Sequence, residues 1–172
     1  MGWNIGIGEA VIVYEISDRG EETCCIIVEG VEHIDAPEFF ISDISGKGNF
    51  RYPSYDVFHN WAYECGLGDL FFHKYYGLQH GSIDAHPITE FHLRIIRHAK
   101  RIWEMKHPGC QDRIPYLTVQ PKEYEELYRG NKWKEMEEIN NRYDWVYARI
   151  IWFEFWFDYA IKNCKQPIIY FG

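Results

Sequence analysis

No stretch of this sequence is both long and free of charge. A bilayer span needs about 20 consecutive, mainly apolar residues, and the most apolar run, Tyr143 to Ile161, is interrupted by Arg149, Glu154 and Asp158. That run is therefore read as part of a core, and no membrane partner is expected. Positive charge is scarce as well, with 18 Lys and Arg against 26 Asp and Glu and a net charge of −8. Such a balance keeps a chain soluble and opposes broad contact with phosphate backbones, so nucleic acid is not the expected partner. The opening MGWNIGIGEAVIVYE has no basic segment, apolar segment and small-residue cleavage site in succession, so no signal peptide is read and a cytoplasmic setting is expected.

Motifs that fix a chemistry by their spacing are missing too. The five cysteines (24, 25, 65, 110 and 164) are odd in number and form no C-x-x-C, which reads as reduced thiols. No G-x-S-x-G or His-Glu-x-x-His occurs, and Gly6 and Gly8 lack the Lys and further glycines of a phosphate-binding loop. Eight histidines are present, but the gaps between His73, His80 and His86 match no common ligand pattern. No metal or other cofactor is expected, no catalytic residue is assigned, and the balance leans away from an enzyme.

What is present is aromatic surface, 18% of all residues in a chain that is 47% hydrophobic. Over 172 residues that composition suits one globular domain, 1–172. Two β-rich runs come first, WNIGIGEAVIVYEI and ETCCIIVEGVEHI, separated by the turn residues Ser17 to Gly20, as in a hairpin or meander. Gly6 and Gly8 suggest a bulge or a close backbone approach. Asp35 to Tyr52 reads as an ordered loop packed on the core, and Leu67 to His86 as mixed. Ser54 is the natural N-cap of a helix whose apolar face is Val57, Phe58, Trp61, Ala62 and Cys65, with Gly66 at its end. Thr89 caps a second helix, with Phe91, Ile95, Ala99, Ile102 and Trp103 as its buried stripe, His98 among them and Arg94, Arg97, Lys100 and Arg101 on a basic face. After a loop from Pro115, a short helix is expected over Pro121 to Tyr128. A last helix begins near Trp133 or Arg142 and is stopped by Pro167. The fold class is α+β: an N-terminal antiparallel hairpin or meander packed against about three to four helices, including a long aromatic C-terminal helix.

That last helix carries nine aromatic residues in the seventeen from Tyr143 to Tyr159. At 100° per residue, Trp145, Trp152 and Trp156 fall on one side with Arg149, while Tyr147, Glu154, Asp158 and Ile161 fall on the other. A helix apolar nearly all round is normally buried, so this one is expected at the centre, with the sheet and the other helices against it. Arg149 then has two readings. Its stem packs on Trp while its head pairs at the surface, or its guanidinium anchors a small anionic ligand in an aromatic pocket. Glu154 and Asp158 are like charges at i, i+4, which solvent, a shared cation, a basic partner or a proton held between them would accommodate. Trp145, Arg149, Trp152, Trp156, Glu154 and Asp158 are accordingly the candidate ligand-binding residues.

Four stretches, MGWNIGIGEA, RYPSYDVFHNWAYECGLGDLFF, HPITEFHLRIIRHA and HPGC, together resemble a group of small proteins encoded by tailed bacteriophages and prophages. The likeness covers residues 1–10 and 50–110 and implies a viral accessory protein acting in the host cytoplasm; it transfers no catalytic residue. The expectation is a non-enzymatic binding protein that engages a host or phage protein, or a small anionic ligand, through aromatic surface. The alternative is a small metal-dependent hydrolase or transferase using histidines and carboxylates.

Overall fold

In a computed structural model of the chain, which describes residues 3–16, 18–33, 35–38, 46–79, 85–114 and 126–172, one antiparallel sheet is organised by its first strand. β1 (Trp3–Ile16) is long enough to serve several neighbours at once. On one edge it pairs with β5 (Pro167–Phe171), which in turn pairs with β4 (Ala85–Pro87). On the other edge it pairs first with β3 (Asn49–Tyr52) and then with β2 (Glu22–Gly30). The register with β5 runs unbroken from Ile5↔Phe171 to Glu9↔Pro167, so the strand has no bulge at Gly6 or Gly8 on that edge. Alternation along β1 sends Ile5 and Ile7 into the core.

Helix α1 (Tyr55–Glu64) starts where Ser54 accepts a hydrogen bond from the Val57 N–H. It stops in a double-bonded turn: Leu67 N–H donates to Ala62 O and Gly66 N–H to Tyr63 O, with Gly66 at φ 80°. Leu67, the residue beyond, is buried, which fixes the direction of the chain into α2 (Gly68–Phe72). Phe58, Trp61, Ala62 and Cys65 are buried as their spacing predicts; Val57 is exposed instead.

Helix α3 (Glu90–Lys106) begins with a reciprocal cap in which His92 takes the usual acidic place: Thr89 N–H donates to His92 Nδ1. Its buried residues are Leu93, Ile96, Ala99 and Trp103. The expected stripe is thus rotated, with Phe91 and His98 exposed and Ile95 and Ile102 half-buried. The rotation turns Arg97 and Lys100 towards a neighbouring helix, where they find carboxylates. A 3₁₀ turn (Cys110–Arg113) follows. The C-terminal helical region is two helices, α4 (Trp133–Asn140) and α5 (Trp145–Asn163), separated where Asp144 caps α5 by accepting from Tyr147 N–H at 2.8 Å. The expected loop after Pro115 and most of the expected helix over Pro121 to Tyr128 lie outside the described residues.

The observed class is α+β, with the aromatic helix α5 at its centre. One side of α5 lies on β1 and β3, where Trp152 meets Phe50 at 4.5 Å between ring centres. Its flank meets α1 and α2, where Phe153 lies 5.1 Å from Trp61 and 5.2 Å from Phe71. Its far side meets α3. Each buried aromatic contributes about 1.5–3 kcal/mol by burial, and well-placed ring pairs add roughly 0.5–1.5 kcal/mol. Three strands absent from the sequence expectation, β3, β4 and β5, complete the sheet, β3 falling at the end of the segment Asp35 to Tyr52 that reads as a loop. Among the described residues no helix is long and apolar enough to cross a membrane.

Candidate functional site

The two faces of α5 lie where helical spacing puts them. Arg149 is 1% exposed. Its guanidinium carbon stands 3.8 Å from the centre of the Phe50 ring, 5.4 Å from Tyr52 and 5.3 Å from Trp152. Strand β3 supplies two of these rings, because Phe50 and Tyr52 alternate onto the core face. β3 comes that close because residue 48 is glycine: a Cβ there would lie 2.7 Å from Ile7 O and 3.3 Å from the Trp156 ring. Trp152 and Trp156 are fully buried, so their flat faces are taken up by packing within the protein. Trp145 stands apart at the start of α5, half-buried, donating from Nε1 to Asn140 O at 3.2 Å. Of the six residues singled out in the sequence, the structure thus brings together Arg149, Trp152 and Trp156.

Glu154 and Asp158 are joined on the opposite side by cations from α3. Lys100 Nζ lies 2.6 Å from Glu154, and Arg97 reaches Glu154 at 3.3 Å and Asp158 at 3.0 Å. Lys162 also pairs with Asp158 from within α5. The like-charge pair is offset by the basic face of α3, and the basic partner is internal to the chain. Further along the same seam Tyr147 donates to Glu104 at 2.6 Å, and Trp103 Nε1 donates to Asp144 at 2.8 Å. Burial, with Glu104 beside it, raises the Tyr147 phenol far above its ordinary range.

The described histidines and thiols are distributed among local tasks. His33 meets Phe155 and Tyr159 edge-on, His73 stacks on Tyr76 at 3.6 Å, and His107 stacks on Trp103 at 4.0 Å. Among the described residues no group of three or more His, Cys, Asp or Glu side chains gathers as a metal site; His80 and Asp84 lie outside them. Burial pushes the Cys65 thiol up to about 12, and burial together with Glu9 pushes Cys164 up to about 11. Burial followed by Asp144 and Glu104 raises Cys110 as well. These three are protonated thiols rather than poised nucleophiles.

A different surface gathers aromatic side chains that sequence reasoning passed over. Along α1, Tyr55, His59 and Tyr63 recur every four residues beside the buried stripe. Phe72 of α2 lies among them, 5.7 Å from Tyr55, 4.8 Å from His59 and 6.1 Å from Tyr63, the last pair stacked at 9°. Trp3 extends the row, edge-on to Tyr55 at 5.3 Å. The ledge depends on the α1–α2 turn: a Cβ at Gly68 would lie 2.5 Å from the Tyr63 ring, so glycine lets that ring lie over the start of α2. Tyr55 and Tyr63 are exposed, whereas Trp3, His59 and Phe72 are half-buried. Burial, with Tyr63 and Asp56 contributing, pushes the Tyr55 phenol up, so it stays a neutral hydrogen-bond donor. Exposed acids stand nearby in the chain at Asp56, Glu64 and Asp69. The signal for this ledge was the i, i+4, i+8 run of rings at positions 55, 59 and 63. Compared with family models, with curated proteins and with solved structures, the chain matches none.

Proposed function

We propose that this chain is a non-enzymatic binding protein of the tailed-phage accessory type, acting in the host cytoplasm, and that it engages a protein partner through the ledge of Trp3, Tyr55, His59, Tyr63 and Phe72. The observation that carries this reading is the contiguity of those five rings on one surface. Grouped exposed aromatics mark interaction sites more often than scattered ones do, and Tyr and Trp dominate binding energy where proteins meet. The rings are held in place by one another and by the turn at Gly68, so little conformational freedom is lost on binding. The flanking acids favour a partner whose apolar contact is bordered by basic residues.

The test uses the full chain as bait in host lysate, with Tyr55→Ser/Tyr63→Ser as its pair. Any captured protein is identified, purified and titrated against both baits. Loss of two exposed tyrosines should weaken binding by about thirtyfold, the size of a hot-spot effect of about 2 kcal/mol. An identified partner that binds the double variant as tightly as the parent would overturn the assignment.

A further inference from the structure

The second surface is independent of the ledge and lies at the far end of β1. From Ile5 to Glu9 this strand is paired on both edges, but from Ala10 onward its described strand partner is β2 alone. The hairpin therefore runs on beyond the four-strand region. On one of its faces Ile12 is 54% exposed, Tyr14 65% and Ile16 78%, an uncharged apolar stripe on a chain of net charge −8. A two-stranded hairpin is marginal by itself and gains stability when another strand is added. β2 stands at the end of the strand order, so among the described residues its outer edge has no pairing strand. Natural edges are blunted by Lys, Pro, bulges or inward charges. The strand ETCCIIVEG has no Lys or Pro, no charge between Glu22 and Glu29, and an unbroken register with β1.

We propose that the chain forms a homodimer in which β2 pairs antiparallel with β2 of a second copy across a two-fold axis, joining the two sheets into one. An antiparallel strand pair is self-complementary under such an axis, as an isologous interface requires. The stripe also selects its own kind, because position 26 lies opposite Ile12 in the hairpin register and thus on the same face. Pairing centred on Ile26 lines up positions 12, 26, 26 and 12 across the joined sheet, all isoleucine. The charges favour the same register. It sets Glu22 opposite Gly30 of the second copy and Glu29 opposite Thr23, so every acid faces an uncharged residue. The neighbouring symmetric register, centred on position 25, would instead set Glu21 against Glu29 twice, which is unfavourable.

Light scattering coupled to size exclusion, run over a concentration series of the full chain, should show a monomer–dimer equilibrium. Ile26→Lys, which brings two like charges together on the axis, should raise the dissociation constant by about tenfold or more. Tyr55→Ser/Tyr63→Ser should leave it unchanged, which separates this interface from the ledge. A circular-dichroism melt confirms that each variant is folded. A second variant stands if Ile26→Lys does not fold: Ile26→Cys with Cys24→Ser and Cys25→Ser should form a covalent dimer when oxidised glutathione takes up the electrons, since opposed strand positions lie within disulfide reach. A parent that stays monomeric at its highest attainable concentration, or a dimer that a folded Ile26→Lys variant forms as tightly as the parent or that does not cross-link through position 26, would overturn the proposal.

Discussion

The guanidinium of Arg149 lies face-on to the ring of Phe50, 3.8 Å from its centre. A cation held over an aromatic face out of water contributes roughly 0.5–2 kcal/mol. Phe50→Leu removes the face and little of the volume, and Phe153→Leu removes a ring of the same size that meets other rings. The first substitution should therefore cost about 0.5–2 kcal/mol more than the second in urea melts. Equal losses would mean that Phe50 contributes only its packing.

Across α5 the electrostatics are partly solvated and should behave differently. Lys100 and Arg97 hold Glu154 from α3, with Arg97 itself half-buried. Glu154→Gln should cost about 0.5–1 kcal/mol at low salt, as for a surface network. The deficit should shrink as salt rises towards ~1 M, where the Debye length falls to about 3 Å. A salt-independent deficit would point to lost packing instead.

These two neighbourhoods show what the sequence could reveal. Caps and breakers act within one turn, so Ser54, Gly66 and Thr89 marked their helices without tertiary information. The spacing of Arg149 with Trp152, and of Glu154 with Asp158, likewise separated two faces of α5. Which face meets the sheet is not written in a helix that is apolar nearly all round, and the partners Phe50, Tyr52, Arg97 and Lys100 lie far away in the chain. The stripe on α3 was misjudged for the same reason: Arg97 and Lys100 looked like solvent-facing charges until Glu154 and Asp158 met them. Strand β5 was missed because five residues that begin at a helix-stopping proline carry no periodicity that distinguishes a strand from a tail. The ledge was missed because Tyr55, His59 and Tyr63 carry polar tips that let a half-exposed row pass for a hydrated one.

The cap of α3 should make stability depend on pH. His92 Nδ1 accepts the Thr89 N–H and must therefore be unprotonated, and burial lowers its pKa from the ordinary value of 6.5. The unfolded chain thus binds this proton at higher pH than the folded chain. The contribution is complete above about pH 6.5 and is lost as pH falls through the lower folded value. His92→Gln keeps a side chain able to close the cap without titrating. The stability difference between parent and variant should accordingly favour the parent less at pH 5 than at pH 7, by urea melts at both. A difference independent of pH would rule out His92 as the titrating group.

Gly48 provides a sharp test of how β3 reaches the aromatic helix. Its carbonyl accepts the Ile7 N–H at 2.8 Å, and a Cβ would stand 2.7 Å from the Ile7 oxygen and 3.3 Å from the Trp156 ring. The first contact is with backbone inside a paired sheet, so it cannot be relieved by a rotamer change; either β3 or β1 must move. Gly48→Ala should cost about 1–3 kcal/mol, as overpacking does, and should alter the near-ultraviolet circular dichroism through Trp156. Gly20→Ala is the control, because Gly20 has φ 77° with open space around its Cβ position. It should cost about 1–2 kcal/mol from the left-handed backbone alone, leaving the aromatic signal unchanged. The two substitutions are therefore separated by the spectrum even where their energies overlap. A Gly48→Ala protein with parental stability and an unaltered spectrum would mean that β3 does not lie against β1 and Trp156 as closely as the Phe50–Arg149 stack requires.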